Sequence, residues 1–460
     1  MSAEESSEAV QNEAEPEVTE NAPRITLRAE RAGIGALLAN LRGENLSAEL
    51  DDLSTQSQSS GNEDVEEPKQ SEEVEEPARP MNRKEKRRLQ RLQELELGSA
   101  KKKVPEVIEP AKIPSGLKLK HSDRETFSHY NSFFGYLSTR TNNYVHSALQ
   151  NPDGTRAITA SQDRYLRVFS LENHEVLWKH NTANLTLDSC WENSGKGVFS
   201  SSKLRPIQLF ETETGEILGA YNGKDSGDNV TEAMCITQSE NTLIGGFKNQ
   251  FQMWDIEYTG NAKTIMRSFD KNFNTGFRGM PMTLDPHPTM PDLFAAAGTS
   301  PFIATFSKNW KNAVSTMEGS PHGYTNIRFS RDGIKLYASE RTGDIHCFDT
   351  RMNMMTQVLK REMTTQQRTR FDIDASGRLL YSGTSSGDVV VYDLHEFNEE
   401  LQPVLTVNVS SVCVPCVSVR NEQLVICTGQ RVFPDDPLLS EDEEKREAWK
   451  PIILCRFVIF

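Results

Sequence analysis

The run Arg361-Glu-Met-Thr-Thr-Gln-Gln-Arg-Thr-Arg370 places three guanidinium groups, Arg361, Arg368 and Arg370, around the paired amides of Gln366 and Gln367. A guanidinium fork bonds phosphate through two parallel hydrogen bonds and stacks on a splayed base, and a glutamine amide can read a base edge. Gln430-Arg431 offers the same two groups further along. The chemistry within reach of these residues is recognition of an anionic, base-bearing ligand. The same arginines equally suit a salt bridge to a turn aspartate or a cap on a strand carbonyl, and the sequence leaves both roles open. Tyr130, Phe133, Phe134, Tyr324 and Phe433 are stacking surfaces or core residues in the same sense.

Other chemistries lack their residues. The chain has no glycine-rich loop ending in Gly-Lys-Ser/Thr, no His-Glu-x-x-His and no Gly-x-Ser-x-Gly. Its nine histidines are dispersed, none beside a nucleophile and a carboxylate in a recognisable motif. Cys413-Val-Pro-Cys416 has no second pair at zinc-ligand spacing and sits in a strand-like run. The expectation is therefore no catalysis, no metal and no cofactor. Seven cysteines, an odd number, several within apolar strand patterns, predict reduced thiols in an intracellular compartment.

The elements that must position the candidate residues come from a repeat. From Tyr144 to Phe433 a β-run, a polar turn, a second β-run, a turn and a third β-run ending in an aromatic recur. The best copies are Phe329 to Asp349 and Phe371 to Asp393, in phase at their turn glycines. Taking Asp153, Ser194, Ser239, Met290, Asp332, Ser376 and Asn421 as first turns, the intervals are 41, 45, 51, 42, 44 and 45 residues. That period predicts an all-β fold, a seven-bladed WD40 β-propeller. In each blade, alternation in a strand such as Asp344 to Phe348 sends Ile345 and Cys347 to one side and His346 and Phe348 to the other. Asp163, Asp344 and Asp388 stand before third strands, where a carboxylate accepts backbone N–H bonds and fixes the turn.

Charge divides the chain. Residues 1–80 carry 20 acidic against 6 basic residues, which with little apolar patterning predicts a disordered acidic tail. Residues 81–103 reverse this with 9 basic and 3 acidic residues. Within the expected basic helix and linker at 81–116, Lys84, Lys86, Arg87, Arg88 and Arg91 read as a nuclear import or nucleic-acid-contact candidate, or simply as a solvated helix. The propeller is expected over 117–460, interrupted by an acidic loop at 434–447 between a strand over Leu424 to Phe433 and another over Ile452 to Phe460. Strand exchange between the two ends would close the ring without free edges. No apolar h-region opens the chain and no stretch suits a bilayer, so no membrane partner is expected.

Three segments are more specific than a generic blade: Arg361 to Asp374, Ser382-Gly-Thr-Ser-Ser-Gly-Asp388, and Cys427-Thr-Gly-Gln-Arg-Val-Phe-Pro-Asp435. Together they resemble the telomerase Cajal body protein family of WD-repeat proteins, over roughly Tyr144 to Phe460 and most strongly after Gly323. The resemblance implies a non-catalytic RNA-binding scaffold, a monomeric propeller that recognises a short loop in small Cajal-body RNAs and in telomerase RNA. It also implies delivery of the ribonucleoprotein to nuclear Cajal bodies, in company with RNA-associated proteins. Arg361, Gln366, Gln367, Arg368, Arg370, Gln430 and Arg431 are then the candidate RNA contacts. The competing expectation is a WD40 protein–protein adaptor without RNA affinity, for which the acidic tail and loop speak because both repel phosphate.

Overall fold

A computed structural model gives the fold of the chain and describes residues 109–123, 144–365, 367–430 and 454–459. The acidic tail, the basic run with Lys84, Lys86, Arg87, Arg88 and Arg91, the aromatics Tyr130, Phe133 and Phe134, Gln366, Arg431, Phe433 and the acidic loop 434–447 lie outside the described residues.

Among the described residues all regular structure is β, and the propeller arrangement expected from the repeat is observed. Six blades are each built from consecutive antiparallel strands. The first uses Val145–Gln150, Arg156–Ser161, Tyr165–Ser170 and Val176–Asn181, and the second Thr186–Trp191, Gly197–Ser202, Ile207–Glu211 and Ile217–Lys224. The third uses Cys235–Ser239, Thr242–Phe247, Gln250–Asp255 and Thr264–Arg267, and the fourth Pro281–Pro286, Leu293–Gly298, Phe302–Ser307 and Ala313–Glu318. Tyr324–Phe329, Lys335–Glu340, Ile345–Asp349 and Met354–Leu359 make the fifth; Asp372–Ile373, Leu379–Gly383, Asp388–Asp393 and Leu405–Asn408 make the sixth. A further sheet joins both ends of the body: Cys416–Arg420 and Gln423–Cys427 pair with Leu454–Ile459, and Leu117–Asp123 adds the outer strand.

The first-turn marks fall between the first two strands of each sheet or, for Ser239, on the last residue of the first strand. Their chemistry is local. Gly333, at φ +75°, follows Asp332, whose Oδ1 accepts the Ile334 N–H at 3.0 Å. A Cβ on Gly333 would lie 2.1 Å from the His287 ring of the preceding blade, so this turn needs glycine for space as well as for its backbone angle. The one long interval, 51 residues, holds an extra hairpin, Phe269–Asp270 with Thr275–Gly276, inserted between the third and fourth blades.

Both sides of every blade are apolar because each packs against a neighbour. At the third seam Phe251 meets Phe294 and Phe306, ring centroids 5.4 and 4.8 Å away. Ile345 and Cys347 join the cluster shared with the sixth blade, while Phe348 joins the one shared with the fourth, the alternation the strand pattern demands. Equivalent clusters link the sixth blade to the terminal sheet and the terminal sheet to the first blade. The innermost strands are latched by carboxylates: Asp188 Oδ2 accepts the Ile236 N–H at 2.9 Å, Asp285 Oδ2 the Phe329 N–H at 2.8 Å, and Asp372 Oδ2 the Val419 N–H at 3.0 Å. Each bond crosses from one sheet to the next.

Two expectations need correction. The strand read as Leu424 to Phe433 ends at Cys427, because the chain turns at Gly429, φ +137°, where a Cβ would sit 2.5 Å from that of Tyr144. Asp163 does accept a backbone N–H in its own turn, from Tyr165, but Asp344 accepts the N–H of Arg361, 17 residues on, and so does not fix its turn. Asp388 instead accepts from the Ser386 hydroxyl and the Asn408 amide, since Thr384 already takes the local N–H.

Candidate functional site

Arg361 follows the outer strand of the fifth blade and turns inward. Its Nε donates to Gly343 O at 2.7 Å, Nη1 to Ser382 Oγ at 2.8 Å and Nη2 to Ser339 Oγ at 2.8 Å. Both hydroxyls belong to second strands of adjacent blades, so the guanidinium stitches the fifth blade to the sixth. The residue is 7% exposed. Burial lowers its pKa to about 10, which leaves it charged at neutral pH.

Arg368 and Arg370 reach across the central channel toward the second blade. Arg370 Nη2 bonds Asp188 Oδ1, and Arg368 Nη2 lies 3.7 Å from Asp188 Oδ2 while its Nη1 donates to Leu187 O at 3.2 Å. Burial alone would push the Asp188 carboxyl up, but Arg370 and Arg368 hold it below the ordinary carboxylate value. A second chain of charges runs Arg420, Asp372, Arg328, Asp285, with N···O separations of 2.9, 3.6 and 3.3 Å. Here one guanidinium serves two carboxylates, and burial pushes Asp285 up to about 6 against the pull of Arg328. What space the arginines leave in this part of the channel is about 90 Å³, enough for a few ordered waters.

The surroundings do not favour bond-making chemistry. Burial, aided by Arg370 and Arg368, lowers His146 to about 4, so its imidazole is neutral at physiological pH. Burial pushes the Cys190 and Cys235 thiols far above their ordinary value, which removes them as nucleophiles.

The sequence candidates therefore separate. Arg368 and Arg370 come together on Asp188, but on closed ground: their side chains are only 19% and 11% exposed. Arg361, Arg368 and Arg370 form no exposed positive surface, because each guanidinium is engaged by carboxylate, carbonyl or hydroxyl oxygens of another blade. Gln367 donates Nε2 to Gly429 O at 3.1 Å, tying the interblade segment to the terminal sheet beside half-buried Gln430. Gln366 and Arg431 flank this junction in sequence but lie outside the described residues. Tyr324 is fully buried, its hydroxyl accepting the Ser320 N–H at 2.8 Å.

Sequence reasoning missed the acidic partners. Asp188, Asp285 and Asp372 each stand four to six residues before the first-turn mark of their blade. An acid recurring at that phase of an apolar inner strand was the available signal, since a buried carboxylate requires a partner.

Four-stranded sheets latched at their inner edges around a polar channel, with Trp254-Asp255 ending the third strand of one of them, define the class as a WD-type β-propeller. No family model matches the chain. Curated relatives do: the chain is 28% identical over 393 residues to telomerase Cajal body protein 1 of Rattus norvegicus, covering 79% of this chain and 73% of that protein. The Homo sapiens protein of that name is 27% identical over 350 residues, 70% of this chain and 63% of its own length. A guanine nucleotide-binding protein subunit beta from Oryza sativa subsp. indica is 23% identical over 207 residues, 44% of this chain and 53% of that protein. The resemblance read from the three segments is thus found along most of the chain.

Proposed function

We propose that the chain is a non-catalytic RNA-binding scaffold that recognises small Cajal-body RNAs, and telomerase RNA by the same route, and directs the ribonucleoprotein to Cajal bodies in the nucleus. The observation that carries this reading is the similarity to telomerase Cajal body protein 1 over 79% of the chain. In this reading the terminal sheet is the seventh blade and the ring acts as a monomer. Arg361, Arg368 and Arg370 serve as its frame, while Gln366, Gln430 and Arg431 are the candidate residues that meet RNA. The basic run with Lys84, Lys86, Arg87, Arg88 and Arg91 supplies nuclear import. The propeller occupies 117–460, and 1–80 is an acidic tail beyond it.

Crosslinking of the full chain in nuclei, followed by sequencing of the attached RNA, tests this directly. Enrichment of small Cajal-body RNAs is expected. A crosslinked pool matching bulk nuclear RNA, together with no affinity for such RNAs in vitro at low salt, overturns it. The adaptor reading, a ring that binds a charged peptide and no RNA, is favoured by one observation: the three arginines selected from sequence are internally paired. It predicts co-purifying protein in the absence of RNA.

A further inference from the structure

Far in sequence from the arginines just described, a groove of about 1460 Å³ opens along the third blade, between the hairpin at the edge of the second blade and the fourth blade. The turn at Lys248-Asn249, the end of Thr264–Arg267, the inserted hairpin and the loop at Lys311-Asn312 frame it. Small-molecule pockets span roughly 300–1,000 Å³, so the groove suits a length of polymer. Lys248, Arg267, Lys271, Arg278 and Lys311 line it, all exposed, against two carboxylates, Asp225 and Asp270.

None of the five cations is ion-paired with a described carboxylate, although cations elsewhere are: half-buried Lys224 with Asp228 at 2.9 Å and exposed Arg351 with Asp349 at 2.7 Å. The two groove carboxylates hold their own turns instead. Asp270 Oδ1 accepts the Asn272 N–H at 2.7 Å, and Asp225 Oδ1 accepts those of Gly227 and Asn229 at 2.8 and 2.9 Å. Aromatic surface lies beside the charges. The Arg278 guanidinium carbon is 4.2 Å from the Phe269 ring centroid, and Phe273, outside the lining but next to the lining residue Asn272 in the hairpin turn, is 69% exposed.

We propose that this groove binds a single-stranded segment of RNA, its cations meeting successive phosphates while Phe273 and the Arg278–Phe269 pair stack on unpaired bases. Charge complementarity selects a polyanion, and the exposed rings select one whose bases are splayed, which a duplex does not offer. An acidic peptide would satisfy the cations and leave the rings uncovered. That the strand is RNA and not DNA rests on the function proposed above.

The test uses the full chain and a fluorescent single-stranded oligouridylate at low salt. Replacing Lys248, Lys271 and Arg278 together by Ala is expected to weaken binding at least about a hundredfold and to flatten the plot of log affinity against log salt by about 0.7 per cation removed. Phe273→Ala should weaken binding about tenfold while leaving the salt slope unchanged, a separation that simple charge loss does not produce. Lys196→Ala with Lys203→Ala, exposed cations outside the groove, should have little effect. All positions changed are exposed, so unaltered thermal unfolding checks that the variants fold. Binding by the parent chain with equal binding by the groove variants overturns the groove and leaves the RNA function standing. No binding of oligouridylate by the parent chain also overturns the groove. RNA function then falls as well only if nuclear crosslinking is empty. Groove-dependent binding of a synthetic peptide of residues 434–447 without oligouridylate binding identifies an acidic segment as the occupant and overturns the proposal.

Discussion

Arg370 and Arg278 carry the same group on the same ring of sheets, and their surroundings give it opposite uses. Around Arg370 the guanidinium meets a carboxylate that is itself buried, so its charge is consumed in holding the sixth blade to the second across the channel. Around Arg278 it meets a phenylalanine face and water, and the charge remains available. What separates a strut from a contact is therefore not the arginine but whether an inner-strand aspartate has been placed opposite it. Low dielectric makes the first arrangement strong when paired and costly when broken, whereas solvent screens the second.

The sharpest way to break this comparison is to remove the acid. Asp188→Ala would leave Arg370 and Arg368 charged and unpartnered in the channel, and should lower the unfolding free energy by ~3–5 kcal/mol in urea titration. A loss below ~1 kcal/mol would mean the two arginines escape to solvent, and the channel would then have to be regarded as a ligand surface after all. Arg361→Met is the next step down. It keeps the stem's packing but strips partners from Ser339, Ser382 and Gly343 O, for an expected cost of ~2–4 kcal/mol. Oligouridylate affinity per folded molecule should not change.

The fold was largely readable because it is periodic. The first-turn marks fall at or between first and second strands, and the 51-residue interval announced the inserted hairpin, although only as an irregularity. The site was readable only halfway. Arg361, Arg368 and Arg370 stood out as a cluster in one short segment, yet their partners Ser382, Ser339 and Asp188 come from other strands, 21, 22 and up to 182 residues away. Local clustering of charge thus marked where the ring is bolted together. The groove failed to register for the converse reason: Lys248, Arg278 and Lys311 are isolated in sequence, and only packing of the blades brings them together. Likewise the outer strand Leu117–Asp123 is anchored by pairing with Leu454–Ile459, a register no local pattern encodes.

Titration offers a gentler probe of the paired region. His146 is held neutral, its pKa lowered from 6.5 to about 4 by burial and the two arginines. The unfolded chain binds that proton more tightly, so this group subtracts stability as pH falls from 6.5 toward 4, by a contribution on the order of 3 kcal/mol. Asp285, raised by burial to about 6, works the other way: the folded state takes up its proton first, and stability rises as pH falls through 6 toward the ordinary carboxylate value. Asp188, depressed, contributes stability that persists above the unfolded carboxylate pKa and disappears at still lower pH. His146→Gln should therefore make the protein more resistant than the parent to acid between pH 6.5 and 4, and Asp285→Asn less so. Both are measured as urea midpoints across pH. Parallel curves for parent and His146→Gln would show that the channel admits enough water to solvate the imidazolium.

The smallest effect belongs to the groove, and its smallness is the point. Lys271 has no ion-pair partner among described carboxylates and is exposed, so Lys271→Ala should leave unfolding free energy within ~0.5 kcal/mol of the parent. Arg278→Ala forfeits the contact with Phe269, about 0.5–1 kcal/mol for an exposed cation over a ring. Set beside the several kcal/mol expected at Asp188, these values separate charges that build the ring from charges the ring displays. Differential scanning calorimetry at low and high salt resolves them. Because five cations share the groove with only two carboxylates, both engaged in their own turns, removing Lys271 relieves repulsion that salt otherwise screens, so its small effect should be most favourable to stability at low ionic strength. A Lys271→Ala variant that is markedly destabilised at low salt would instead reveal a hidden acidic partner, and the groove would then be a second strut of the kind Arg370 makes.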